Sequence, residues 1–259
     1  MTRRSFLPAV AAPVLAGSAE DAPPKNAIIE IGFARMRNTK ENQPQRVADV
    51  WKNAFVPALQ RAGAGPVGVF GSSIGPESPF LMTVTSYPSL AEYDSIHAKM
   101  AADADFRSAY GAFESLPGRS YERVENSLLR AFDGMPAVVP PPHDGNRPSK
   151  IFEVRMYESN NMSSLARKIK MFNEGEMAIF QRLGMAPVFF GQTIVGRSMP
   201  NLVYMLSYND MAHREQCWRA FGGDAEWKKL REAPGYSDAE IVSNITNYIV
   251  SPLPFSPIR

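Results

Sequence analysis

The sequence contains two copies of one unit, offset by about 121 residues. Matches that keep their order across a whole unit indicate duplication. Duplication constrains the fold strongly. Both copies must adopt the same topology, and any apolar surface that each copy exposes must be buried against the other. The identical pairs are Leu81/Leu202, Ser86/Ser207, Tyr87/Tyr208, Ala91/Ala212, Asp103/Asp224 and Ala104/Ala225.

Each copy predicts the order β-α-β-β-α-β. The first strands are Ile28–Ala34 and Ile151–Tyr157, and the long helices are predicted over 45–61 and 162–183. Pro57 is expected to kink the first helix. Asp224, like Asp103, is expected to be a helix N-cap. The other predicted strands are 67–72, 80–87, 124–132, 187–194, 202–208 and 241–250.

The strand at 151–157 alternates apolar and polar residues with period two. Phe152, Val154 and Met156 share one face, which we expect to lie under helices. Glu153, Arg155 and Tyr157 share the other face, together with Ile151. Three polar side chains on one face favour a wet or ligand-filled cavity over a dry core. Glu30 has the corresponding place in the first copy, between Ile29 and Ile31.

An antiparallel four-stranded sheet with helices on one face leaves its other face bare. Two copies can cover each other, so we predict an α+β fold in which both sheets pack as a closed or nearly closed barrel with helices outside. Strand parity then places Glu153, Arg155 and Tyr157 in a cavity between the sheets, with Glu30 opposite them. The predicted units are 27–132 and 150–259, joined by a proline-rich linker at 133–149.

Residues 1–26 are predicted to be a twin-arginine-type signal peptide and linker. Arg3 and Arg4 precede Phe6 and Leu7, and small residues offer a cleavage site near Ala19. The expected localisation is exported, either periplasmic or secreted. A disordered basic N-terminus is the alternative.

Composition argues against several classes of function. Net charge is +2 and the basic residues are scattered, which gives no support for nucleic-acid binding. No apolar run outside the signal approaches a membrane span, so no stable anchor is expected after cleavage. No metal or cofactor is expected, because His97, His143 and His213 lack partners at ligand spacing. The single cysteine, Cys217, is expected to be a small buried hydrophobe.

The candidate ligand-binding residues are those of the polar strand face and its neighbours. An arginine in a cavity favours a carboxylate, phenolate or carbonyl oxygen. The alternative is a structural Glu153–Arg155 pair that holds the sheets in register. No catalytic residue is assigned. The set comprises Glu153, Arg155, Tyr157, Gln192, Tyr204, Asn244 and Glu30.

The chain resembles the NIPSNAP family of the dimeric α/β-barrel superfamily. The resemblance rests on residues 152–157, on 202–208 followed by His213 and Arg214, and on Asp224-Ala225-Glu226-Trp227. It covers the second copy closely and the first loosely, where Gly32 and Ala34 stand in place of Arg155 and Tyr157. It implies ferredoxin-like units paired into a barrel and no established catalytic set.

Three functions follow as hypotheses. The first is an exported NIPSNAP-domain protein that binds a small organic ligand in the barrel cavity. The second is a monooxygenase-like enzyme acting on an aromatic, quinone or haem-type substrate, as the superfamily resemblance implies. The third is a structural or oligomer-forming module, and a homodimer is an option left open.

Overall fold

The computed structural model describes residues 26–143 and 150–259, and eight strands close into one barrel. The strands are β1 (Ile28–Arg35), β2 (Val67–Ile74), β3 (Phe80–Tyr87), β4 (Arg123–Ala131), β5 (Ile151–Glu158), β6 (Ala186–Val195), β7 (Asn201–Tyr208) and β8 (Asn244–Pro252). The α-helices are α1 (Gln43–Val50), α2 (Val56–Ala62), α3 (Leu90–Ala102), α4 (Ala104–Glu114), α5 (Met162–Met171), α6 (Met177–Arg182), α7 (Met211–Gly223), α8 (Ala225–Arg231) and α9 (Asp238–Ile241).

Each copy contributes one antiparallel four-stranded sheet to the barrel. The strand order is β4-β1-β3-β2 in the first unit and β6-β7-β5-β8 in the second. The sheets join where β2 pairs with β8 and β4 pairs with β6. The predicted fold is confirmed: two ferredoxin-like units pack sheet to sheet within one chain.

The barrel interior is a dry core. An eight-stranded barrel is just wide enough for its own side chains to fill. Apolar side chains from both sheets do so here, and the void that remains beside Phe33, Met156 and Tyr248 is about 20 Å³. Core members include Ile29, Ile31, Phe33, Phe70, Met82, Leu129, Phe152, Val154, Phe189, Val203, Met205 and Val250. The prediction of a ligand cavity between the sheets is therefore wrong.

The alternation along β5 is as predicted, but its two faces are reversed relative to the prediction. Phe152 and Val154 point into the barrel core. Glu153, Arg155 and Tyr157 point outward under the helices, where helix side chains supply the partners that a carboxylate needs. The same correction moves Glu30, because Ile29 and Ile31 occupy the barrel side of β1. A carboxylate among the apolar residues inside the barrel would have had no such donors.

The long helix of each unit is interrupted by a π-helical turn. The turns are Trp51–Phe55, between α1 and α2, and Phe172–Glu176, between α5 and α6. They stand at the same offset of 121 residues, and the second unit has Ala178 where the first has Pro57. The disruption expected at Pro57 is therefore a feature that both units share, and it does not depend on the proline.

The last strand is shorter at its start than predicted. Residues 238–241 form the short helix α9, and β8 begins at Asn244. Asn126 pairs with Gly32 in the first unit, whereas Asn247 pairs with Arg155 in the second. Asn247 is therefore the structural counterpart of Asn126, and the candidate residue Asn244 lies three residues before it.

The C-terminal tail packs along β2. The Leu253 and Ile258 amides donate to the carbonyls of Val69 and Val67. No helix in the described part of the chain is both long and apolar enough to cross a membrane. The predicted export signal lies in residues 1–25, outside the described residues, and stays a prediction.

Candidate functional site

Glu153 is the centre of a charged network between β5 and α7. Its carboxylate is fully buried and accepts hydrogen bonds from four side chains. Arg214 donates twice, at 2.6 and 3.1 Å, and Trp218 Nε1 donates at 2.7 Å. Arg155 Nη1 donates at 3.2 Å and the Tyr208 hydroxyl at 3.3 Å. Two guanidinium groups therefore neutralise one carboxylate, which leaves no open acceptor for a ligand.

The rest of the second unit's polar face is filled by protein side chains. The Arg155 guanidinium lies 4.4 Å from the Trp218 ring centre and its Nε donates to the Tyr157 hydroxyl at 3.3 Å. The hydroxyls of Tyr204 and Tyr157 are 2.9 Å apart. Beneath them Lys168 and Glu176 form a buried ion pair at 2.8 Å. This arrangement agrees with the structural alternative for the Glu153–Arg155 pair.

Two predicted site residues of the second unit, Asn244 and Gln192, lie outside this network. Asn244 is exposed and donates to Glu158 at 2.9 Å. Gln192 is on β6, opposite Leu202 and Arg130, and is partly exposed. The structure thus brings together Glu153, Arg155, Tyr157 and Tyr204 and separates the other two.

Glu30 belongs to a different cluster, on the helix side of the first unit. Its carboxylate accepts from the Tyr87 hydroxyl at 2.8 Å and from Asn126 Nδ2 at 2.9 Å. His97 Nε2 lies 3.2 Å from the Tyr87 oxygen and 3.8 Å from the Glu30 carboxylate. These groups form a connected polar chain that lines part of a cavity.

That cavity has a volume of about 240 Å³ and lies between the first sheet and its helices. It is open because of three small residues, Gly32, Ala34 and Thr83. They hold the strand positions of Arg155, Tyr157 and Tyr204 in the second unit. A Cβ on Gly32 would lie 2.5 Å from the Thr83 hydroxyl oxygen. A larger residue at position 32 would therefore require local rearrangement.

Aromatic and aliphatic side chains form the remaining walls of the cavity. The π-helical turn contributes Trp51 and Phe55, whose rings stack with centres 4.7 Å apart. Such turns occur frequently at functional sites. The other apolar lining residues include Val47, Val50, Leu59, Met100, Tyr110, Phe113, Tyr121, Phe33 and Val124.

The electrostatics of this cluster keep the tyrosines protonated. Burial, with the neighbouring Glu30 carboxylate, raises the pKa of Tyr87 far above its ordinary value. The same two causes raise the pKa of Tyr93. Tyr87 therefore stays a hydrogen-bond donor to Glu30 across the physiological pH range.

Tyr87, His97 and Asn126 belong to this site but were not predicted from the sequence. A signal was present, because Tyr87 and His97 stand 121 residues before Tyr208 and Trp218. Both members of the second pair donate to the carboxylate that corresponds to Glu30. The repeat alone pairs Tyr87 and His97 with Tyr208 and Trp218, but only the tertiary structure shows that this pair of positions faces the carboxylate.

Other candidate residues have structural roles. Asp103 and Asp224 are N-caps of α4 and α8, as predicted. Trp227 is in the core between helices and sheet, whereas Trp51 lines the cavity. Burial raises the pKa of the Cys217 thiol, which opposes nucleophilic chemistry there.

Solved structures with the same overall fold share little sequence with this chain. A proposed monooxygenase from Lactobacillus acidophilus NCFM matches with a TM-score of 0.56 at 11% identity, over 88% of this chain and 94% of that one. A second, from Fusobacterium nucleatum, gives 0.54 at 6%, over 88% and 93%. An anthrone oxidase-like protein gives 0.51 at 10%, over 88% and 92%. These likenesses show the fold alone.

Sequence comparison supplies the family. A search of curated proteins found no match to this chain. The NIPSNAP family profile matches two segments, residues 35–133 and 152–257, one in each unit. The two matches agree with the duplication and together cover most of the chain, which therefore belongs to the NIPSNAP family.

Proposed function

We propose that this chain binds a small, largely aromatic or apolar organic molecule in the cavity between the helices and the sheet of its first unit. The observation that carries the proposal is the contrast between the two units. The second unit fills the corresponding volume with Arg155, Tyr157 and Tyr204, and the first leaves it open. The proposed site thus moves from the barrel interior to the outer face of the first sheet.

The cavity has the composition of a ligand site. Such sites combine mostly apolar walls with a few polar groups that orient the ligand. Here the walls include Trp51, Phe55 and Tyr110, and the polar groups are Glu30, Asn126 and His97. Its volume of about 240 Å³ limits the ligand to a small molecule.

Ala34→Tyr tests the proposal by giving the first unit the tyrosine that the second unit carries at the same strand position. The new ring should occupy the cavity and weaken the binding of indole, a neutral aromatic probe, by about tenfold or more, equivalent to about 1.4 kcal/mol. Isothermal titration calorimetry measures the affinity, and circular dichroism checks folding.

Ala91→Tyr is the matched control, because Ala91 is exposed on α3 and does not line the cavity. This variant should bind indole as the unmodified protein does. Unchanged indole binding in folded Ala34→Tyr protein would contradict the proposed site. Absence of indole binding to the unmodified protein would favour a structural module.

Monooxygenase-like chemistry is a second candidate for the same cavity. The connected chain Glu30–Tyr87–His97 offers a route for a proton leaving a bound ligand. Solved structures of similar fold include proteins described as monooxygenases. Dioxygen consumption on adding an oxidisable phenol would favour this candidate over simple binding.

A further inference from the structure

We propose that the ligand of the first-unit cavity is an organic cation whose positively charged, hydrogen-bonding head, of amidinium or guanidinium type, binds Glu30. This inference rests on the proposed function and names the chemical class of its ligand. It comes from comparing two carboxylates at equivalent positions, of which Glu153 has two arginine counter-ions and Glu30 has none in the described part of the chain.

Glu153 shows which hydrogen bonds and counter-ions stabilise a buried carboxylate at this strand position. It accepts five hydrogen bonds, of which Arg155 and Arg214 donate three. In the first unit the position of Arg155 is Gly32, and the position of Arg214, 121 residues earlier, is Tyr93. Both guanidinium groups are missing from the first unit, but the carboxylate is retained.

Glu30 is therefore left with neutral donors. It accepts one hydrogen bond from Tyr87 and one from Asn126, out of about four lone-pair sites on a carboxylate. Its side chain is 12% exposed, so water does little to stabilise its charge. His97 Nε2 lies 3.8 Å from the carboxylate, too far for a hydrogen bond but close enough for an ion pair when the imidazole is protonated.

The second unit contains an internal analogue of the missing group. The Arg155 guanidinium is a planar cation that donates to the carboxylate and stacks over the Trp218 ring at 4.4 Å. In the first unit the cavity adjoins Gly32 and Glu30, so a bound guanidinium or amidinium has access to the equivalent acceptor.

The walls of the cavity suit such a cation. Lys and Arg are absent from the described lining, and the lining includes Trp51, Tyr110 and Tyr121. Aromatic faces attract cations, and the attraction increases when the cation is removed from water. A ligand with a planar cationic head and an aromatic body would use both the carboxylate and the rings.

The test uses three probes of the same shape and different charge: benzamidine, benzamide and benzoate. Calorimetry on the full chain should show benzamidine binding about tenfold or more tightly than benzamide, and benzoate binding most weakly. This comparison needs no variant, so it holds even if substitutions disturb folding.

Glu30→Gln should weaken benzamidine binding by about tenfold and leave benzamide within about threefold. Glu158→Gln, a carboxylate on β5 remote from the cavity, should change neither affinity. Equal binding of benzamidine and benzamide, with indole still bound, would overturn the cation proposal and leave the proposed function intact. Failure of all these probes and of indole to bind would overturn both.

Discussion

Glu30 and Glu153 occupy equivalent strand positions in the two units but have different electrostatic environments. Glu153 is fully buried and bonded to two arginines. Glu30 has only neutral hydrogen-bond donors, Tyr87 and Asn126. Removing one partner of a buried ion network is costly because the remaining charges lose their compensation. The same substitution should therefore have different effects at the two positions.

Glu153→Gln should lower the free energy of unfolding by about 3–5 kcal/mol, because Arg155 and Arg214 lose their common anion. Glu30→Gln, the matched control, should lower it by less than about 1 kcal/mol, because no fixed cation depends on Glu30. Urea unfolding followed by circular dichroism measures both. Equal losses would show that the arginine network does not stabilise the second unit.

At the scale of elements, the long helix of each unit places different side chains against its sheet. The second unit has Lys168 and Glu176, each about 2% exposed or less, bonded at 2.8 Å across the π-helical turn. Burial raises the pKa of Glu176, and Lys168 opposes that effect. The first unit has Val47 and Phe55 at the same places, 121 residues earlier. At equivalent positions, the helix of the second unit therefore has a buried ion pair and the helix of the first unit has two apolar side chains.

Lys168→Val should destabilise the protein by about 3–5 kcal/mol, because it leaves Glu176 buried and unpaired. The double variant Lys168→Val/Glu176→Phe copies the first unit and should be more stable than this single variant, because no charge remains buried. Thermal and urea unfolding of both variants and the parent measure the difference. A double variant less stable than the single one would mean that the pair is needed for packing.

At the scale of the whole molecule, ion pairs around Glu125 link the two units. Arg35 from β1 and Arg197 from the β6–β7 loop both contact Glu125 on β4. Burial alone would raise the pKa of Glu125, but the hydrogen bond from Arg123 and the charges of Arg35 and Arg197 outweigh it and lower this pKa to about 2. The lowered pKa links folding stability to pH.

Glu125 should contribute stability that is present above pH 4.5 and lost as the pH falls towards 2. The unfolded chain takes up the proton near 4.5 and the folded chain near 2, so acid favours unfolding in that window. After allowing for solvent screening, the loss should be about 1–2 kcal/mol. Unfolding measured across this range for the parent and Glu125→Gln should differ in slope, and parallel curves would contradict the assignment.

The local sequence was sufficient to predict those features that depend only on neighbouring residues, namely the topology of each unit and the alternation along its strands. The repeat predicted two units of the same topology, and alternation along β5 placed Glu153, Arg155 and Tyr157 on one face. Tyr204 was correctly grouped with them, because it lies directly across from Arg155 in the sheet. The prediction of Asn244 was wrong: the segment before β8 contains the short helix α9, and the residue of β8 opposite Arg155 in the sheet is Asn247.

Only the tertiary structure decided which face of each sheet forms the apolar core of the barrel. Period-two alternation defines two faces, but it does not say which one meets the other sheet and which one meets the helices. Here eight strands close tightly enough to need apolar filling, and donors on α7 satisfy Glu153 from outside the barrel. The open cavity beside Glu30 likewise depends on what is missing at Gly32 and Ala34, and the size of such a gap is set by how distant helices pack across it.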